Sequence, residues 1–182
     1  LTGMEGLGFY RVCAGPVGGR VLADLGADVV TVEPPEGDVT RRGGRNAAGL
    51  SAYYVQHNVG KQNISIDLRA DEGPELIRRL VEKADIVIEN FRPGVMAKYG
   101  LEYDALKQLK PDLVMVSISG FGQDGPESGR AAYAPILHGE AGAIDVRHGG
   151  PAAHDVSSTA ADGVRGVAGV LEPPAARRVP GP

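Results

Sequence analysis

Between Arg11 and Glu33 the chain reads RVCAGPVGGRVLADLGADVVTVE. A strand-like run ends in glycines, a helical run follows, and a second apolar run ends in an acid. A dinucleotide site presents its phosphate turn, helix amino terminus and ribose acceptor in that order. Its fingerprint, however, is G-x-G-x-x-G, which serves a tight turn, close approach of a pyrophosphate and helix packing. Here Gly15, Gly18 and Gly19 follow another spacing with Pro16 among them, so NAD is not an expected cofactor, although Glu33 stands where a ribose acceptor would. The nearest approach to a P-loop is Gly60-Lys61-Gln62, which lacks the Ser or Thr after the lysine. The glycines are therefore expected to permit a tight strand-to-helix turn, either as a plain connection or with amides facing a negatively charged ligand. Cys13 is the single cysteine and can make neither an internal disulfide nor a metal cluster. His57, His148 and His154 fall in loop-like stretches without ligand spacing, and no metal is expected.

These residues need a scaffold. Strand-length apolar runs occur at Leu7 to Cys13, Asp28 to Glu33, Asn63 to Leu68, Asp85 to Glu89 and Leu113 to Ser119. Helical patterns lie between several of them. In GPELIRRLVEKA the stripe Leu76, Ile77, Leu80 and Val81 predicts a helix, with Pro74 in its first turn and Gly73 or Asp71 as cap. Pro16 to Leu25 places Val17, Val21, Leu22 and Leu25 on one side, and Tyr103 to Leu109 stops before Pro111. Alternating strands and helices imply an α/β fold with a largely parallel sheet and helices on both faces. The stretch from Glu33 to Gln62 is too long and too rich in Gly, Pro and Arg for a plain connection, and such loops are usually functional.

The chain has 182 residues, with 19 Lys and Arg against 23 Asp and Glu, for a formal charge of -4. That balance supplies no basic field for nucleic acid. No apolar run approaches the roughly 20 residues of a spanning helix, and the start lacks a signal pattern, so a cytoplasmic protein without a membrane partner is expected.

Four blocks, AGPVGGRVLADLGADVVTVEPPEGDVTR, ISIDLR, ADIVIENFRPGVMAKYGLEYDAL and PDLVMVSISGFGQDGP, resemble successive segments of the class III CoA-transferase family, in the family's order. That family includes formyl-CoA transferase, carnitine CoA-transferase and the α-methylacyl-CoA racemases. The resemblance implies a Rossmann-like CoA-binding portion over residues 1–142, a segment over 143–171 that carries the nucleophile, and a poorly ordered tail over 172–182. It implies an interlocked homodimer, of which this chain would carry an incomplete version. It also implies transfer of CoA from an acyl-CoA to an acceptor carboxylic acid, through an aspartyl anhydride and an enzyme-bound CoA thioester. By motif, the aspartate is Asp162 in AADGVRG. A carboxylate of ordinary pKa near 4 is ionised at neutral pH and needs no base to activate it, whereas an Asp-Gly pair alone is more often just a turn.

For the coenzyme the resemblance points to Cys13 and Ala14, to Ile66, Asp67, Leu68 and Arg69, to Asn90, Phe91 and Arg92, and to Lys98 and Tyr99. Arg69 is the expected phosphate cation, because a guanidinium binds such oxygens in a fork; taken singly, Arg69, Arg92 and Lys98 also read as solvated surface charges. Tyr133 is similar to an active-site tyrosine of some relatives, with His138 five residues on. The racemase branch usually has a histidine at or near Tyr133, so the transferase is preferred, with a racemase or a non-catalytic CoA-binding fragment as the alternatives. Three departures stand out. Gly8 replaces a common aspartate, Pro34 replaces an arginine for which Arg41, Arg42 or Arg45 would substitute, and family members continue for about as many residues again.

Overall fold

The computed structural model describes residues 1–43, 46–47 and 49–140. Within them the chain runs β1 (Glu5–Phe9), α1 (Ala14–Asp24), β2 (Asp28–Glu33), a 3-10 turn (Val39–Arg42), β3 (Asn46–Ala47), β4 (Leu50–Ser51), α2 (Ala52–Asn58) and β5 (Gln62–Ser65). It continues through α3 (Gly73–Val81), β6 (Ile86–Glu89), α4 (Val95–Lys98), α5 (Tyr103–Leu109), β7 (Val114–Ser117) and α6 (Ala134–Glu140). Five strands make one parallel sheet in the order β5-β2-β1-β6-β7, while β3 and β4 form a small antiparallel pair. The long connection after Glu33 is thus not plain loop; it holds the 3-10 turn, this pair and α2. His57, expected in a loop, lies in α2.

Strand alternation sends successive side chains to opposite faces. Leu7, Phe9, Val32 and Val87 meet Ile77 and Val81 of α3, Met96 of α4 and Leu106 of α5 on one face. Val29, Ile86, Ile88 and Val114 meet Leu22 of α1 on the other. Helices therefore cover both faces, as the alternating pattern predicts.

The expected first strand runs too far. It ends at Phe9, and Tyr10 to Cys13 form the turn into α1; their apolar character serves packing of the turn and not a strand ladder. The third strand likewise ends at Ser65, after which Ala70 N–H donates to the Asp67 carbonyl in a turn (3.2 Å). In α3 the buried residues are Gly73, Ile77 and Val81, whereas Leu76 of the expected stripe is 43% exposed. Glu72, not Gly73 or Asp71, holds the cap position of α3, with no side-chain capping bond.

Helix α1 packs on a face that apolar periodicity does not reveal. Its buried residues are Gly15, Pro16, Gly18, Gly19 and Leu22, while Leu25 is exposed. The reason is Tyr10, whose ring lies beneath the helix. A Cβ at Gly15 would stand 2.2 Å from Tyr10 Cβ, one at Gly19 2.0 Å from its Oη, and one at Gly8 of β1 2.1 Å from its Cε1. The three glycines form the walls of a slot for one aromatic ring, and an aspartate at Gly8 would collide with it. Inside, Tyr10 Oη and Thr31 Oγ1 are hydrogen-bonded at 3.2 Å. Lys61 Nζ lies 4.6 Å from the ring centroid and donates to the Pro16 carbonyl (2.6 Å) and Asn58 Oδ1 (3.1 Å), joining the end of α2 to the first turn of α1. The far end of α1 closes through Gly26, at φ +92°, with Gly26 N–H donating to Ala23 O and Ala27 N–H to Leu22 O, the paired pattern of a Schellman stop.

The slot has two measurable consequences. Gly15→Ala drives a methyl into the base of a ring that cannot swing away, and should cost about 1–3 kcal/mol in denaturant unfolding. The control Gly129→Ala, whose added carbon meets nothing within 4 Å, should stay within about 0.5 kcal/mol. Burial, helped by nearby Arg20, pushes the Lys61 amine down to about 7, below the value of about 10.4 for an unfolded lysine. Between those values the unfolded chain binds more protons than the native one, so this group makes stability rise with pH through that window and holds it lowest below pH 7. Unfolding midpoints from pH 7 to 9.5 should climb less steeply in Lys61→Met than in the wild type.

Candidate functional site

All five parallel strands direct their carboxyl ends to one rim, and the order reverses beside β1. The chain leaves β1 for β2 on one side and returns on its other side as β6. Open α/β sheets take ligands in the crevice outside the strand ends at such a reversal. A cleft of about 470 Å³ lies there, formed by the turns after β1 (Arg11 to Ala14), β6 (Asn90 to Pro93) and β7 (Ile118 to Gly120) and closed by the segment ending at Tyr133.

One side chain joins the two central turns. Asn90 Oδ1 accepts from Arg11 N–H at 2.9 Å, and Asn90 Nδ2 donates to the Arg11 carbonyl at 2.9 Å. The next residue, Val12, is the non-glycine with positive φ among the described residues, at +69°. A strained backbone state of this kind costs about 1–3 kcal/mol and persists only where its surroundings enforce it. Here Asp38 does so, its Oδ2 accepting from Val12 N–H at 3.0 Å. Asp38 is itself fixed, since Oδ1 accepts from the N–H (2.8 Å) and hydroxyl (2.7 Å) of Thr40.

Behind this turn Glu33 is fully engaged. Its Oε2 accepts from Asp38 N–H (2.9 Å) and Arg41 Nε (2.6 Å); its Oε1 accepts from Arg41 Nη2 (2.8 Å), Tyr54 Oη (2.7 Å) and Asn63 Nδ2 (2.6 Å). Burial would raise its pKa, but the bonds from Arg41, Tyr54 and Asp38 outweigh it and hold the carboxyl below its ordinary value. Glu33 is thus a buried structural acid with no oxygen to spare for a ribose. Arg41, one of the suggested replacements for an arginine at Pro34, is committed to it; Arg45 lies outside the described residues. Glu89, at the end of β6, accepts from Phe91 N–H at 2.8 Å, and burial pushes its carboxyl up against the opposing bonds from Ser117 and Phe91.

The structure divides the sequence-predicted residues. Cys13, Ala14, Asn90, Phe91, Arg92 and Tyr133 all line the cleft. Cys13 occupies the cap position of α1, its Sγ 3.8 Å from His57 Nε2. His57 Nδ1 lies 2.7 Å from the Tyr53 carbonyl; a carbonyl only accepts, so Nδ1 is the donor of that bond. Tyr133 is 69% exposed at the rim.

Ile66 to Arg69, Lys98 and Tyr99 do not line the cleft. Ile66 belongs to the core cluster against which Leu68, Tyr99 and the cleft residue Phe91 also pack, so this second group borders the same face of the sheet. Arg69 is 63% exposed in its side chain and paired with Asp67 Oδ1 (2.8 Å) and Glu36 Oε2 (3.4 Å). Lys98 is exposed at the end of α4. Asp162, His148, His154, the segment 143–171 and the tail 172–182 lie outside the described residues, as does the side chain of His138. Sequence reasoning missed Arg11, Ser119 and Arg130 on the cleft walls. Their one available signal was position, directly after the ends of β1 and β7 or in the glycine-rich loop beyond.

A parallel sheet with a ligand cleft at its order reversal defines a Rossmann-like α/β domain. The chain belongs to CoA-transferase family III, whose family description matches residues 1–176. It is 47% identical over 154 residues to the succinate–glutarate CoA-transferase of Agrobacterium fabrum, across 80% of this chain and 38% of that protein. It is 34% identical over 176 residues to the formyl-CoA:oxalate CoA-transferase of Streptomyces coelicolor, across 94% of this chain and 43% of that protein. The crystal structure of a CAIB/BAIF family protein from Brucella suis superposes with a TM-score of 0.84 at 42% identity, covering 91% of this chain and 46% of that one. The chain thus spans less than half the length of these relatives. Among the described residues no helix is long and apolar enough to cross a membrane.

Asn90→Ala removes both bonds to Arg11 and should destabilise the fold by about 1–3 kcal/mol. Faster hydrogen exchange at the Arg11 and Val12 amides, with the α3 amides unchanged, would locate the loss in this turn.

Proposed function

We propose that the cleft receives coenzyme A and that the protein transfers it from an acyl-CoA thioester to an acceptor carboxylate. The observation that carries this reading is the meeting of Cys13–Ala14 and Asn90–Arg92 on one cleft, joined by the Asn90 clamp. Both stretches are ones that the family resemblance assigns to the coenzyme. The transferase names of the relatives favour this reaction over racemisation.

The second group extends the site along the rim. Tyr99 offers a ring for the adenine and Lys98 a cation for its phosphates. Arg69 would exchange Asp67 and Glu36 for phosphate oxygens at a small penalty, because exposed ion pairs are screened by solvent and contribute little. Ala14 opens α1, an 11-residue helix whose amino terminus favours negative charge.

In the proposed reaction the Asp162 carboxylate attacks the thioester carbonyl, expelling CoA thiolate and leaving an acyl-aspartyl anhydride. The thiolate then attacks the aspartyl carbonyl, releasing the donor acid and forming an aspartyl-CoA thioester. The acceptor carboxylate and the same thiolate repeat the two steps in reverse order. Each step replaces one activated acyl bond with another, so no external energy source is needed. In the sequence Gly163 and Gly166 follow Asp162, and glycine amides there would suit a developing oxyanion. A homodimer is part of this reading, supplying neighbours for the site.

The test is intact-mass analysis after incubation with an acyl-CoA, followed by hydroxylamine trapping and peptide mapping. A covalent species on Asp162, absent in Asp162→Ala, is the expected outcome. Label transfer from acyl-CoA to an acceptor acid that survives Asp162→Ala would remove the nucleophile from the proposal.

A further inference from the structure

Among the described residues the walls of the cleft carry three arginines, Arg11, Arg92 and Arg130, and no acid. This concentration of positive charge stands in a chain whose net charge is -4. Arg130 is neutralised by Glu127 (3.0 Å) and by Glu140. Among the described residues neither Arg11 nor Arg92 forms an ion pair. The buried acids of the neighbouring turns are engaged by other donors: Glu33 by five, Asp38 by Val12 and Thr40, and Glu89 by Phe91 and Ser117.

Arg11 differs from an ordinary surface arginine in how it is held. Its N–H and carbonyl are both fixed by Asn90, and its guanidinium carbon lies 5.9 Å from the centroid of the Phe91 ring. The residue after it is locked in a left-handed turn. Arg11 is a half-buried residue that lines the cleft, with an anchored main chain and an aromatic shelf that limit the entropic cost of holding a ligand, and its guanidinium fork matches phosphate or carboxylate oxygens. None of the stretches that the family resemblance assigns to the coenzyme includes Arg11.

We propose that Arg11, with Arg92 on the other central turn, forms an oxyanion subsite in this cleft. Its ligand group is either a phosphate of the coenzyme or the free carboxylate of a dicarboxylic acyl group or acceptor. Arg92 already belongs to the coenzyme reading above, on which the identity of the ligand also rests; the new element is Arg11, which rests on its anchored main chain and its place on the cleft wall.

Calorimetry on the 182-residue chain separates the possibilities, with coenzyme A, inorganic pyrophosphate, succinate and pantetheine as probes. The variants are Arg11→Gln, Arg11→Lys and Arg92→Gln. A hydrogen bond to a charged group is worth about 1.5–3 kcal/mol, so Arg11→Gln should weaken anion binding about ten- to one-hundredfold. Arg11→Lys should fall between, and the wild type should lose affinity as salt rises. Pantetheine, which carries neither phosphate nor carboxylate, should bind all forms alike. Loss confined to coenzyme A and pyrophosphate assigns the subsite to phosphate, and loss confined to succinate assigns it to carboxylate. If Arg11→Gln binds all three anions as the wild type does, or if none of them binds the wild type at millimolar concentration, the subsite is refuted. An equal loss for pantetheine would also refute it, by marking a general structural effect. Should Arg11→Gln fail to fold, Arg11→Lys and Arg92→Gln carry the test, and unchanged anion binding in both would overturn the proposal. Pyrophosphate or succinate binding through Arg11 without any coenzyme binding would keep the subsite and remove the coenzyme reading.

Discussion

Four residues separate the end of β1 from the start of α1, and within them the chain must leave the sheet, reverse and begin a helix. That constraint organises the domain. Tyr10 turns inward and needs a slot, which only residues without a Cβ can line at Gly8, Gly15 and Gly19. Val12 is forced into a left-handed state that its branched side chain resists, so an acid must hold its N–H, and Asp38 does. Asp38 is positioned in turn by Glu33, and Glu33 by Arg41, Tyr54 and Asn63. The long segment after β2 thus acts as a brace behind the turn.

The same economy shapes the electrostatics. The acids near the rim bond to main-chain N–H groups or to buried donors and, among the described residues, none of them lines the cleft, whose walls carry arginine, amide, hydroxyl, thiol and apolar groups. Buried acids are tolerable because each is surrounded by donors. Had any of them faced the cleft, its charge would have neutralised the arginines opposite and made the pocket indifferent to anions.

Much of this was legible in the residues, and the exceptions have physical causes. The second strand and the helix before Pro111 have the bounds that their patterns indicate, because each is a regular element with a clear stop. The parallel sheet and the two helical layers follow from strand-helix alternation. The contact face of α1 was not legible, since periodicity scores what a side chain contributes and glycine contributes the absence of one. The first strand was drawn too long because Tyr10 and Cys13 are apolar for the sake of the turn. Of the expected site, Cys13, Ala14, Asn90, Phe91, Arg92 and Tyr133 line the cleft; Arg11 went unseen because its place there is fixed by Asn90, which lies 79 residues away in sequence.

That separation bears on the order in which the molecule assembles. The pairing of β1 with β2 spans a single helical crossover, whereas the pairing of β1 with β6 must close a loop of many more residues before any contact rewards it. Local pairings of this kind form ahead of distant ones. The Tyr10 slot and its brace depend only on the shorter-range β1–β2–β5 pairings, whereas the cleft, which needs Asn90, is complete only once β6 docks. In a nascent chain the ligand pocket would be among the last features to appear, well after the scaffold that dictates its shape.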